Sequence, residues 1–346
     1  MRFQVFMLLM CFAACTRAGG DPLCGVPPDM IFKARFEASD APPPPYNPAP
    51  VLPAENTPLS LVVSYPAEGI TVGSPTIQVY GTFTGPPNTG VAVDGVNALQ
   101  SGTSFLGRSI SLEPGTNTIT VKITSAAGVT QTISRTVTFD SGQAPDAELK
   151  SAYLGGYAPF SMRFLVSLKS GIANPIIERI RIDYDGDSTF DTDTTDPTTR
   201  LSHRFIAPGI YVANIELTLN DGNTMTPPVM VTATHRVIGE DLDVTRASLC
   251  KAFEAFREKL IAQQYTQSLQ SFNADVRPDY VSFIEGLGTN GAILAGRLGE
   301  IVDGTIGQDS AQLTLAKPRA GQPGRFRSSP LQFSRDSDGV WRISAL

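Results

Sequence analysis

Six aspartates, Asp183, Asp185, Asp187, Asp191, Asp193 and Asp196, fall within fourteen residues of one another. Carboxylates this close repel unless water or a cation screens them. Calcium takes about six to eight oxygens at short range, which alternating Asp can supply, so Asp183, Asp185, Asp187 and Asp191 are candidate calcium ligands. The EF-hand template does not apply, because Ser188 stands at the glycine position and Thr194 at the bidentate glutamate position. The same residues also suit a solvated turn, since Asp-Gly closes hairpins and Asp caps its own backbone. Both readings stay open from sequence.

Other chemistry is sparse. Gly286-Leu287-Gly288-Thr289-Asn290-Gly291 spells a dinucleotide loop literally, but a helical pattern precedes it where such a loop needs a strand. It therefore reads as a glycine-rich helix connection. Neither a G-x-S-x-G elbow nor a P-loop occurs, and the two histidines, His203 and His235, have no evident triad or zinc partners. Asp279 and Tyr280 are neighbours on a predicted helix, so they face different ways. The expectation is a protein that is not an enzyme.

The four cysteines carry the remaining chemistry. Arg2 and the apolar run Phe6-Met7-Leu8-Leu9-Met10 open the chain as a secretory signal, too short to span a bilayer at about 20 residues. Ala13-Ala14-Cys15 ends it. That arrangement resembles the lipobox of bacterial lipoproteins, with Phe12 where that family prefers Leu. The resemblance implies a signal peptide over 1–14, acylation at Cys15, and a lipid anchor in the cell envelope, most simply the outer membrane. A plain cleaved signal is the alternative. Cys11 leaves with the signal, which leaves Cys24 and Cys250 as candidates for a disulfide in an oxidising compartment. Cys250 also sits in a helical pattern where a buried thiol is common.

The elements that would position these residues follow from composition and periodicity. The length of 346 residues fits two or three domains, and 31 Gly with 27 Pro point to short strands and turns. A net charge of −6 argues against a nucleic-acid partner, which needs a clustered basic face. Residues 15–58 read as a tether. Pro42-Pro43-Pro44-Pro45, Pro48, Pro50, Pro53 and Pro58 favour polyproline II, and about thirty such residues reach on the order of 90 Å.

Residues 59–140 alternate with period two, as in Ile119-Thr120-Val121-Lys122-Ile123, between turn signals at Asp94-Gly95, Pro114-Gly115 and Ala127-Gly128. With Tyr65-Pro66-Ala67-Glu68-Gly69 and Leu112-Glu113-Pro114-Gly115-Thr116-Asn117, the segment resembles bacterial immunoglobulin-like modules. Residues 145–238 alternate again, in Phe160-Met162-Phe164-Val166-Leu168 and Tyr211-Ala213-Ile215-Leu217-Leu219. Ala158-Pro159, Asp183-Tyr184-Asp185-Gly186-Asp187, His203-Arg204-Phe205 and Pro208-Gly209-Ile210-Tyr211 resemble the PKD domain, a sandwich used as a spacer or adhesive module. Ile182 replaces that family's usual Trp, and Phe205 its Tyr.

From Asp241 the pattern becomes helical. Leu249, Phe253, Phe256 and Leu260 share one face, with Asp243 or Thr245 as N-cap. Further helices are predicted around Leu269, from Pro278, and along Ile293, Leu294, Leu298 and Ile301. Gln312–Leu315 and Leu331–Phe333 read as strands, and Asp338-Gly339 turns into Val340-Trp341-Arg342-Ile343. Helices followed by strands make residues 241–346 an α+β unit. Its closing hairpin resembles the NTF2-like cone fold.

The predicted fold class is therefore multidomain and mainly β, two antiparallel sandwiches followed by an α+β cone-like domain. The expected role is a non-catalytic envelope lipoprotein whose sandwiches form a stalk. The stalk presents the C-terminal domain to a surface protein or for adhesion. The alternative is a small ligand or carbohydrate bound within the cone. An open polar pocket under the helices would favour the ligand, and a cone filled by Phe253, Phe256, Phe283 and Trp341 the scaffold.

Overall fold

The computed structural model describes residues 50–168, 176–220, 227–322 and 325–346. The signal segment 1–14, Cys15, Cys24 and the tether up to residue 49 lie outside the described residues.

The chain is mainly β, built from antiparallel sheets packed as sandwiches, with its helices gathered near the C-terminus. In the first unit, Ser60–Tyr65 pairs antiparallel with Tyr80–Thr84 in a four-stranded sheet. The chain then crosses over, and Ile70–Val72 runs parallel to Val137–Phe139 at the edge of a five-stranded sheet. The second unit repeats the device. Ala147–Ser151 joins Phe160–Leu168 in a three-stranded sheet, and Gly155–Tyr157 runs parallel to Ile238–Glu240 at the edge of another five-stranded sheet. In each unit the opening segment thus contributes to both sheets.

Period-two alternation places the cores. Val91, Val93, Phe105, Ile119, Val121 and Ile123 are buried in the first sandwich, and Met162, Phe164, Ile182, Phe205, Ile215 and Leu217 in the second. Ile182, at the tryptophan position of the PKD resemblance, is fully buried. Asp94 and Gly95 both adopt positive φ, 49° and 76°, the type I′ geometry that matches strand twist.

The third unit holds four helices, α1 (Leu242–Ile261), α2 (Tyr265–Leu269), α3 (Arg277–Glu285) and α4 (Gly291–Leu298). A four-stranded antiparallel sheet follows, from Glu300–Ile306 through Ser310–Pro318 and Phe326–Arg335 to Trp341–Ala345. Asp241, rather than Asp243 or Thr245, caps α1, its carboxylate accepting from the backbone N–H groups of Asp243 and Val244. Ile301 belongs to the first strand instead of the helical stripe. Gly299 breaks the helix at φ +83°, where a Cβ would stand 2.5 Å from the Ala316 carbonyl oxygen.

The units do not string out as a stalk. The third packs back against both sandwiches, and the buried cluster of Leu99, Leu106 and Ile238 joins the first two. The linear display expected from sequence is replaced by a three-unit arrangement in which polar and apolar contacts join the unit ends.

Candidate functional site

The acidic loop follows directly from the strand Ile176–Asp183. Its last residue, Asp183, is buried and accepts from Gly186 N at 2.7 Å and Ser188 N at 3.0 Å. Asp185 accepts from Asp187 N, and Asp187 from Thr189 N. Gly186 and Ser188 take positive φ, 81° and 72°, so the backbone can wrap around the Asp183 carboxylate. Oxygens of Asp183, Asp185 and Asp187 lie within 4.8 Å of one another, an arrangement able to hold a hard cation. Asp191 stands apart from that trio and accepts from Tyr184 N at 2.7 Å. Asp193 forms a two-point pair with Arg179, whose hydrogen bonds hold its carboxyl below the usual carboxylate range. The backbone donors engage part of each ligand's capacity, so the loop is stable as a turn in its own right.

A second constellation lies where the three units meet. Glu240, the last residue of the strand Val229–Glu240, is fully buried and binds Arg335 of the third unit at 2.8 Å. Glu240 also accepts from Gln100 N of the first unit and from Gln308 Nε2 of the third. Arg335 donates to the Ala98 carbonyl oxygen, and its guanidinium stands 5.0 Å from the Trp341 ring centre. Tyr157 lies beside this pair and donates to the Gly307 carbonyl. Burial, reinforced by the Glu240 charge, pushes its hydroxyl up to about 12. Each unit thus supplies part of one buried ionic network. Sequence reading missed it: a lone Glu after Val237-Ile238-Gly239 is the sole signal, and Arg335 lies 95 residues away.

The first unit grips the closing hairpin of the third beside that network. The side chain of Asn88 donates to Trp341 O and accepts from Trp341 N, both at 2.9 Å, as a neighbouring strand would. Asp309 binds Arg108 at 2.6 Å and Asn97 at 2.7 Å. A half-open cavity of about 230 Å³ remains between the two units, walled by Phe83, Pro86, Pro87, Val244 and Trp341. Arg335 Nε and Gln100 Nε2 are buried without an acceptor, and both residues line that cavity.

The interior of the third unit is filled. Phe253, Phe256, Phe272, Phe333 and Ile343 are each at most 2 % exposed, and Trp341 is buried. Phe283 departs from expectation: it is 53 % exposed on the outer side of α3. Tyr280 stacks on Phe272 and accepts from Leu346 N, a packing role. The glycine-rich segment joins α3 to α4, and Gly291 packs so close to α1 that a Cβ would stand 2.1 Å from the Leu260 carbonyl oxygen.

The histidines do structural work. His203 stacks on Tyr184 at 5.0 Å. His235 Nε2 lies 2.8 Å from Ser151 Oγ, but that hydroxyl donates to the Tyr153 carbonyl, so His235 is the donor and leaves no base to activate the serine. Burial pulls the imidazole down to about 4. Cys250 is disulfide-bonded, while Cys24 lies outside the described residues. No helix among the described residues is long and apolar enough to cross a membrane.

No family model matches the sequence, and no curated protein is similar to it. Similar solved structures include the fibronectin(III)-like modules of CbhA from Clostridium thermocellum, 12 % identical over 53 % of this chain and 95 % of that one, TM-score 0.19. Dimeric latent PorU from Porphyromonas gingivalis is 14 % identical over 54 % of this chain and 20 % of that one, TM-score 0.27. SGBP-B of a mixed-linkage glucan utilization locus of Bacteroides ovatus, in complex with a mixed-linkage heptasaccharide, is 16 % identical over 51 % and 47 %, TM-score 0.17. Scores this low say nothing of what this chain does; its immunoglobulin-like sandwich character rests on the strand pairing above.

Proposed function

We propose that this is a non-catalytic cell-envelope lipoprotein, acylated at Cys15 and joined to the outer membrane through the proline-rich tether. Its folded part acts as one binding head for an envelope or surface protein. The second unit is read as PKD-like and the third as NTF2-like. The observation that carries the scaffold reading is the filled third unit: with Phe253, Phe256, Phe272 and Phe333 buried at its centre, recognition falls to outer surfaces. The Glu240–Arg335 junction supports a head whose surfaces keep a constant relation to one another. A second reading, a small ligand, is favoured by the cavity between the first and third units. It moves the ligand from inside the cone to the junction.

The anchor is tested by fatty-acid labelling and detergent partitioning of wild type and Cys15→Ala. Label and detergent-phase recovery are expected for wild type and lost in the variant. Equal partitioning into water would remove the lipoprotein reading and leave plain secretion.

A further inference from the structure

The outer face of the three-stranded sheet in the second unit carries three arginines. Arg163 alternates outward along Phe160–Leu168, between buried Met162 and Phe164. Arg204 alternates outward along Ser202–Phe205, and Arg200 continues the same alternation past buried Leu201. The pairing Arg163↔Ser202 sets Arg163 diagonally between Arg200 and Arg204, about 7–8 Å from each. None of their three side chains takes part in an ion pair or hydrogen bond among the described residues. Lys150, opposite Leu165, adds a fourth cation, paired with Glu148. Leu165 is 69 % exposed amid these charges, and Ile206, next after Arg204 in the alternation, is 77 % exposed.

This combination selects its partner by chemistry. Guanidinium groups left unpaired side by side are free to bind an anion, and guanidinium binds phosphate at two points. A sheet face that presents these groups side by side suits an extended surface better than a small molecule. Leu165 and Ile206 distinguish a bilayer from a hydrated polyanion, because only the headgroup–acyl boundary buries aliphatic side chains alongside charge. A second basic group, Arg319, Arg325 and Arg327 on the hairpin of the third unit, has a weaker apolar companion in Phe326, at 38 % exposed.

We propose that the outer face formed by Arg163, Arg200, Arg204, Leu165 and Ile206 docks the head onto an anionic phospholipid surface. This holds whether or not Cys15 is acylated. The test uses the chain from Thr16 onward, without lipid, and co-sedimentation with vesicles of phosphatidylcholine alone or with phosphatidylglycerol. Binding is expected only to the anionic vesicles and should weaken steeply with salt. Each basic residue near an anionic surface contributes about fivefold, so Arg163→Gln/Arg204→Gln should lower partitioning about 25-fold. Leu165→Ser/Ile206→Ser should also lower it, while Lys122→Gln on the first sandwich should not. All these positions are exposed, and unchanged melting curves would exclude misfolding. Three results would overturn the proposal: no anionic binding, binding to dextran sulfate but not vesicles, or loss only in Arg319→Gln/Arg325→Gln.

Discussion

At the scale of single residues, two side chains carry predictions. Asp183 is buried and satisfies two backbone donors of its own loop, so Asp183→Ala should destabilise the second sandwich by about 1–3 kcal/mol, measured by denaturant unfolding. The calcium reading adds an expectation of its own. Calcium at a hundred times its Kd should stabilise the protein by about 2.7 kcal/mol, and Asp185→Asn/Asp187→Asn should abolish the gain. Identical melting in calcium and in chelator would leave only the capped turn. His235 predicts a pH dependence. The folded state keeps the imidazole unprotonated down to about 4, whereas the unfolded chain takes up its proton near the model-peptide value of 6.5. Its stabilising effect is therefore complete above pH 6.5 and lost as pH falls toward 4, by about 3 kcal/mol at most. His235→Gln should flatten that decline in melts taken across the window; an unchanged slope would assign it elsewhere.

Elements were legible where one periodicity governs them. The stripe Leu249, Phe253, Phe256 and Leu260 does face the third unit's core, and the alternation through Ala213, Ile215, Leu217 and Leu219 does fill the second sandwich. The errors fall at ends. The α1 cap is Asp241, whose extended backbone lets its carboxylate reach the first N–H groups, and Ile301 lies in a strand because Gly299, at positive φ, ends the helix before it. The closing hairpin is an element whose role depends on a neighbour. A Cβ on Gly90 would stand 2.3 Å from the backbone of Gly339 and Val340. Gly90→Ala should therefore force the first unit and the hairpin apart and cost about 1–3 kcal/mol in denaturant melts. Gly296→Ala, in α4 with nothing within 4 Å of the new Cβ, should be neutral or stabilising. Equal effects of the two would show that the close approach is not a constraint.

For the whole molecule, the Glu240–Arg335 pair is the decisive contact. Removing one partner leaves a buried charge without its counterion, at a cost of about 3–5 kcal/mol. Glu240→Gln should lower the main calorimetric transition and separate melting of the third unit from that of the sandwiches. Glu240→Gln/Arg335→Met should recover most of the loss, since the uncompensated charge is gone. A single variant that melts like wild type would mean that the apolar contacts of Leu99, Leu106 and Ile238 suffice. The same junction makes residues 241–346 a poor isolated fragment, because Arg335 would lose both Glu240 and the Ala98 carbonyl.

The sequence by itself determined the mainly β fold class, because alternation, helical spacing and turn chemistry act over a few residues and need no knowledge of distant ones. It also brought Asp183, Asp185 and Asp187 to notice, since a run of carboxylates is visible wherever it lies. Only the tertiary structure decided which of them converge and which, like Asp191, serve a neighbouring backbone group. It alone joined Glu240 to Arg335 and Asn88 to Trp341, and aligned Arg163 with Arg200 and Arg204. Those contacts depend on register and on how unit ends meet, and they link residues that no local pattern relates.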